Sequence, residues 1–382
     1  MNVRPVNPRW VLAGTGLALL GLLAAPKQRH AEPYTPATAD LVGRTTPGLP
    51  RRAVDDLPSA TEQARALIVA SRRAGGDPRL LGRAQAVLAP WWSQVDLPNE
   101  TRLVRATIRQ SFHDFPAALL DLDAIVAQSP DDAQAWLTRA TVLQVLARLD
   151  EAKASCTHLR GVSALVATVC HVQVDGLKGH SVAARDALSA VLPSARPDER
   201  SWALSVLGDL TLWSGDSAGA VARYQQALEA DPSDEYTRGA LADVLLDLKR
   251  PAEVVALLRE HTAVDAQVLR LAIAGQQAHD EHAAQWLADV TERVEAGRAR
   301  QDVVHRREEA RFTLELEHEA SHALELALAN FAVQREPADA RMLLEAAIAA
   351  KQAEAARPAL EWLERTGFED PTVRALAAGV RQ

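Results

Sequence analysis

The stretch SWALSVLGDLTLWSGDSAGAVARYQQALEADPS, residues 201–233, decides the fold. It reads as two helices joined by a turn at Gly215-Asp216. Leu204, Leu207 and Gly208 recur at helical spacing before the turn, and Ala220, Tyr224 and Ala227 after it. Pro232 closes the second helix, because proline lacks the amide that would continue the ladder. Gly208 and Ala220 are small enough for two helix backbones to approach closely. The larger apolar positions then fill the space between one hairpin and the next.

This unit recurs along the chain. Ala84, Ala118, Ala152, Ala220 and Val254 fall on a lattice of 34 residues, broken only at Asp186, where Ala184 stands two residues away. Pro130 and Pro232 follow Ala118 and Ala220 by twelve residues each, so two independent markers share one phase. The period and its residues resemble the tetratricopeptide repeat. Trp136 with Ala140 and Ala152 matches that pattern well; Leu241, Ala242 and Leu245 keep it, with Val254 replacing the usual alanine. The resemblance is strongest over residues 99–258. After about residue 260 the phase drifts, and Ala284, Ala323 and Ala355 suggest hairpins with altered turn lengths.

The resemblance implies an all-α, right-handed superhelical solenoid of about nine antiparallel helical hairpins over residues 59–382. The expected hairpins span 61–92, 99–128, 133–159, 163–192, 200–229, 235–260, 265–297, 303–334 and 338–365, with a short capping helix at 371–380. Stability in such arrays comes from neighbour contacts, so trimming an end is expected to loosen the stack progressively.

Composition agrees with an elongated helical protein. At 382 residues the chain is too long for one compact core unless it is repetitive, and its apolar content of 48% contains few aromatics, 4%, and much alanine. The net charge is −8 and the basic residues are scattered, with no Lys/Arg stripe to neutralise phosphates, which argues against nucleic acid as a partner. Arg4 and Arg9 precede an apolar run from Trp10 to Pro26, the layout of an export signal or, if uncleaved, a membrane anchor over residues 1–26. Pro33, Pro36, Pro47, Pro50 and Pro58 punctuate residues 27–58, which read as an extended linker. The expected location is therefore outside the cytoplasm, periplasmic or attached to the inner membrane facing outward, as in bacterial exported proteins. Membrane contact is expected only through the N-terminal segment.

His318-Glu319-Ala320-Ser321-His322 spells the H-E-x-x-H pattern of zinc metalloproteases, in which both histidines bind zinc from one helical face. The repeat phase opposes that reading: aligning Ala323 with Ala220 puts His318 opposite Gly215 and Glu319 opposite Asp216, in the turn. His113-Asp114 and His279-Asp280 fill the same place, where an acidic residue caps free amides at a helix start. An alternative function remains, a metal-binding protein or metallohydrolase built from the turn residues His279, His282, His318 and His322, with Glu345 as a further oxygen donor. No phosphate-binding glycine loop and no nucleophile elbow is present. No catalytic residue, metal or cofactor is assigned.

The chain has two cysteines, Cys156 and Cys170, flanking a turn near residues 160–163. Export permits a disulfide between them; two buried free thiols are the alternative. Trp202 and Trp213, eleven residues apart on one helix, and Tyr236, about one repeat further on, are the candidate aromatic platform of a concave groove. The leading expectation is a non-enzymatic scaffold that binds a protein or peptide in that groove.

Overall fold

The computed structural model describes residues 56–73, 76–161 and 163–381. The expectations for the export segment, and for the linker up to residue 55, lie outside the described residues. Among these there are nine helical hairpins and a final helix, and no strand. The first four hairpins are α1 (Leu57–Arg73) with α2 (Pro78–Val87), α3 (Asn99–Ser111) with α4 (Phe115–Gln128), α5 (Ala133–Val145) with α6 (Leu149–Thr157), and α7 (Ala164–Leu177) with α8 (Ser181–Val191). Next come α9 (Pro197–Trp213) with α10 (Ser217–Ala230), α11 (Glu235–Asp247) with α12 (Pro251–Leu258), and α13 (Asp265–Ala278) with α14 (Ala283–Ala299). The chain ends with α15 (Arg306–Glu315) and α16 (Ala320–Val333), α17 (Pro337–Ala349) and α18 (Arg357–Thr366), and α19 (Pro371–Val380). No described helix is long and apolar enough to cross a membrane.

The hairpins share one turn chemistry. The first helix of each of hairpins two to nine is followed by a residue in the left-handed region: His113, Ala147, Gly179, Gly215, Lys249, His279, His318 and Lys351. In seven of these the next amide returns to a carbonyl five residues back, as Asp114 N–H does to Arg109 and Asp216 N–H to Thr211, which satisfies carbonyls the helix leaves open. At His318 the corresponding amide, from Glu319, reaches six residues back to Thr313, so this turn is one residue longer. Asp114 and Asp216 then cap the following helix through the amides of Ala117 and Gly219. Glu319 makes no such cap, and Asp280 accepts instead from the His282 amide, so the acidic cap expected at all these turns holds only in part.

Small residues sit where the paired helices touch. Ala84, Ala118, Ala152, Ala220, Val254 and Ala323 are fully buried. A Cβ on Gly208 would lie 2.4 Å from the Tyr224 ring, so the glycine makes room for the tyrosine. The seventh hairpin uses other residues: Ala284 is exposed, while Trp286 is buried and occupies the space left by Gly275. In the ninth, Ala359 rather than Ala355 is fully buried.

One departure from a simple stack shapes the molecule. A single apolar core joins α3–α10 to α15–α19, a second spans α10–α15, and a third joins α1, α2 and α3. The C-terminal helices therefore pack against helices far earlier in sequence as well as against their neighbours. The Arg335 amide donates to the Val145 carbonyl at the end of α5, and the Ser181 amide donates to Glu369. Gly179 and Gly367 meet backbone to backbone, and Phe368 sets its ring on Trp213 at 5.2 Å. Helix α17 buries Ala340, Met342, Leu343, Leu344, Ala346 and Ala347, residues that point in different directions around it, as suits a helix enclosed by others. Removing α15–α19 would uncover buried apolar side chains of the core shared with hairpins three to five, in addition to the neighbour contacts at that end.

Candidate functional site

The face built by the first helices, α5, α7, α9, α11 and α13, is the one on which the aromatic groove was expected. Here it receives the chain's own α15–α19. The seam is chemically distinctive. Asp243 and Asp247 lie one turn apart on α11, and each accepts an arginine from the C-terminal block: Arg311 Nη1 reaches Asp243 at 2.6 Å, and Arg341 reaches both oxygens of Asp247 at 2.6 and 2.7 Å. Each arginine is steadied by a glutamate four residues on in its own helix, Glu315 and Glu345, both at 2.7 Å. Arg270 of α13 takes Asp243 from the other side at 2.9 and 2.7 Å. Burial pushes the Asp243 carboxyl up, but Arg270 and Arg311 more than offset it and hold it well below the usual carboxylate range.

Deeper in the array Asp209 accepts the Tyr224 hydroxyl at 2.6 Å and the Tyr236 hydroxyl at 3.1 and 3.2 Å. Burial raises its pKa to about 7, against the pull of the two phenols. Asp234, bonded to both the amide and the hydroxyl of Thr237, is raised by burial to about 6. The Tyr236 phenol is pushed up first by burial, then by the charges of Asp209 and Glu336. Inside the block, Arg307 meets Glu336 at 3.3 Å and Asp339 at 3.2 Å, and Asn330 and Gln334 donate to Asp339. Burial raises both of these carboxyls.

The residues singled out from sequence take different places. Trp202 is only 2% exposed, inside the main core, with its indole N–H unpartnered. Trp213 is partly buried under Phe368, and Tyr236 is tied to Asp209. The three do not form an open aromatic platform: Trp202 lies in the core, Tyr236 is turned onto Asp209, and Phe368 stands on Trp213. Cys156 and Cys170 are joined in a disulfide between α6 and α7, with both side chains fully buried. His318 lies in the left-handed turn and His322 on α16, so the H-E-x-x-H residues are divided between a turn and a helix; His322 stands 3.8 Å from Glu319. His279 is the left-handed residue ending α13, His282 pairs with Asp280, and Glu345 with Arg341. Among the described residues no three His, Cys, Asp or Glu side chains are grouped to hold a metal, so the turn histidines are not brought together.

No protein-family description matches the chain, and no curated protein matches its sequence. Among solved structures it is similar to the crystal structure of the P58(IPK) TPR domain, at 16% identity and a TM-score of 0.25, over 85% of this chain and 97% of that one. A superposition that weak adds nothing to the description above. The tetratricopeptide-like character rests on this chain's own hairpins, their shared left-handed turns and their buried small residues.

The arginine seam escaped the sequence reading, although it left a trace. Arg-x-x-x-Glu occurs at 311–315 and again at 341–345, thirty residues later. Nothing local in the sequence pairs these motifs with Asp243 and Asp247, which precede them by 68 and 94 residues.

Proposed function

We propose that this chain is a non-enzymatic protein-binding scaffold of the cell envelope, exported through its N-terminal segment, which holds helical protein segments against the first-helix face of its hairpin array. One observation carries the reading: that face already binds helices, its own α15 and α17, through paired carboxylates and a shared apolar core. The recognition needed for a helix-in-groove partner is therefore built into the wall. The Cys156–Cys170 disulfide suits an oxidising compartment and supports placement outside the cytoplasm. The test is in vivo crosslinking of the tagged full chain in its native host, with fractionation and mass spectrometry of the captured material and of the chain's own N-terminus. A reproducible partner in the envelope fraction supports the scaffold. A chain that stays cytoplasmic, or that captures nothing beyond an untagged control, overturns it.

A further inference from the structure

We propose that the inner face of α11 is a docking surface for an arginine-bearing helical protein segment, and that α15 and α17 occupy it as an exchangeable ligand carried within the chain. This rests on the scaffold reading and adds the chemistry of the partner and the way access to it is controlled.

Three observations lead there. First, Asp243 and Asp247 present two carboxylates one helical turn apart, and the groups seated on them come from two different helices of one block. Arg311 and Arg341 are each pre-aimed by a glutamate at i+4, so the block presents the same recognition unit twice. A competing segment must offer guanidinium groups with comparable spacing, and the acidic wall favours such a segment electrostatically.

Second, the seam pairs are partly open to solvent. The side chains of Arg311 and Asp243 are 21% and 32% exposed, and those of Arg341 and Asp247 31% and 33%. Arg105 and Asp121, which tie α3 to α4, are 6% and 5% exposed. Water and salt reach the outer edge of the seam, so its pairs are open to salt and to competition from a second arginine-bearing segment.

Third, the hairpin succession is broken just before the block. Unlike the second helices of the preceding hairpins, α14 does not pack along the helix that follows it. The joint is held by Arg298 and a small apolar contact: Arg298 binds Glu309 at 2.7 Å, Glu317 at 2.9 and 2.8 Å and Thr313 at 2.9 Å, with its guanidinium over the Phe312 ring, and Phe312 shares a core with Trp286 and Val290 of α14. A tight turn with Gln301 in the left-handed region follows α14. Residues 300–305 are thus the place about which α15–α19 can leave the wall while the wall's own hairpins stay paired.

The experiment uses the full-length chain and, as probe, a fluorescently labelled peptide of residues 303–350 carrying the natural arginines. Binding is measured for wild type, for Arg311→Glu with Arg341→Glu, and for those two combined with Asp243→Asn and Asp247→Asn. In the double variant the block is repelled from α11 and the freed carboxylates take the peptide, so binding tightens at least tenfold over wild type. In the fourfold variant the wall lacks the carboxylates that would take the peptide's arginines, and binding falls back to the wild-type level or below. Equal binding by the double and fourfold variants, or no gain in the double variant, overturns the proposal. Should the double variant lose its helical circular dichroism, hydrogen exchange of the wild-type chain decides. Faster exchange in α15 and α17 at 0.5 M than at 0.05 M salt, with α3 and α4 unchanged, supports the exchangeable block; exchange indifferent to salt overturns it. Peptide binding as expected with no envelope partner captured removes the scaffold reading and leaves this surface standing. A captured partner that binds the double variant no better than wild type does the reverse.

Discussion

The same substitution, glycine to alanine, should act with opposite sign at two positions of this array. Gly82 lies inside α2, and a Cβ built there meets nothing within 4 Å. Removing glycine's extra conformational freedom from a helix interior then stabilises by about 1 kcal/mol. Gly208 lies inside α9, and a Cβ there would stand 2.4, 2.5 and 2.9 Å from three carbons of the Tyr224 ring. That ring is 1% exposed and its hydroxyl is held on Asp209 at 2.6 Å, so it cannot swing aside without giving up the hydrogen bond. Overpacking of this kind costs about 1–3 kcal/mol, and more when a buried hydrogen bond goes with it. Set against the propensity gain of about 1 kcal/mol, Gly208→Ala should destabilise by up to about 2 kcal/mol net, and by more if the Tyr224–Asp209 hydrogen bond is lost. Urea titrations followed by circular dichroism would show the midpoint rising for Gly82→Ala and falling for Gly208→Ala. A Gly208→Ala protein as stable as Gly82→Ala would refute the close packing of α9 on α10 described above.

Asp209 and Asp234 should make stability depend on pH. Their carboxyls are raised from 3.8 to about 7 and about 6, so the folded state holds protons that the unfolded chain has released. Their contribution is then fully present below about pH 4 and is lost as pH rises through about 6 to 7. His113, lowered to about 4 by burial, works in the opposite sense, so the clean readout is the difference between wild type and Asp209→Asn, whose profile should be flatter between pH 4 and 7. Replacing both Cys156 and Cys170 with serine removes a cross-link over 14 residues and should lower the unfolding free energy by about 3 kcal/mol, with reductant giving the same shift in the wild type. His279→Gly and His318→Gly should each stabilise by roughly 0.5–1 kcal/mol, since both residues are exposed and held at φ of 54° and 59°; a lower thermal midpoint in either variant would contradict the turn geometry.

The parts of the fold that the sequence revealed are those encoded within about one repeat. Helix pairs, their buried alanines and the turn at His318 follow from residues a few positions apart, and the alignment of His318 with Gly215 is matched by their shared left-handed backbone. The burial of Trp202 and Trp213 is a different matter. Whether an aromatic on a first helix stays open or is covered depends on what packs against it, and Phe368 stands more than 150 residues beyond Trp213. Ala284 misled for a related reason: a small residue marks close helix contact only if it faces the partner, and in that hairpin Gly275 opposite Trp286 provides the close approach instead. The acids after the left-handed residues share a place in the turn, yet the longer turn at His318 leaves Glu319 without an amide to cap.

A wall completed by helices far later in its own chain has a consequence for synthesis. Each hairpin closes between residues some thirty positions apart and can form soon after it emerges, whereas the bond from Ser181 to Glu369 spans 188 residues. Until the final helices arrive, the apolar side of hairpins three to five has nothing to rest on, and a chaperone would find its substrate there. A chain interrupted before α15–α19 would keep that surface bare, so these helices decide whether the earlier hairpins remain soluble.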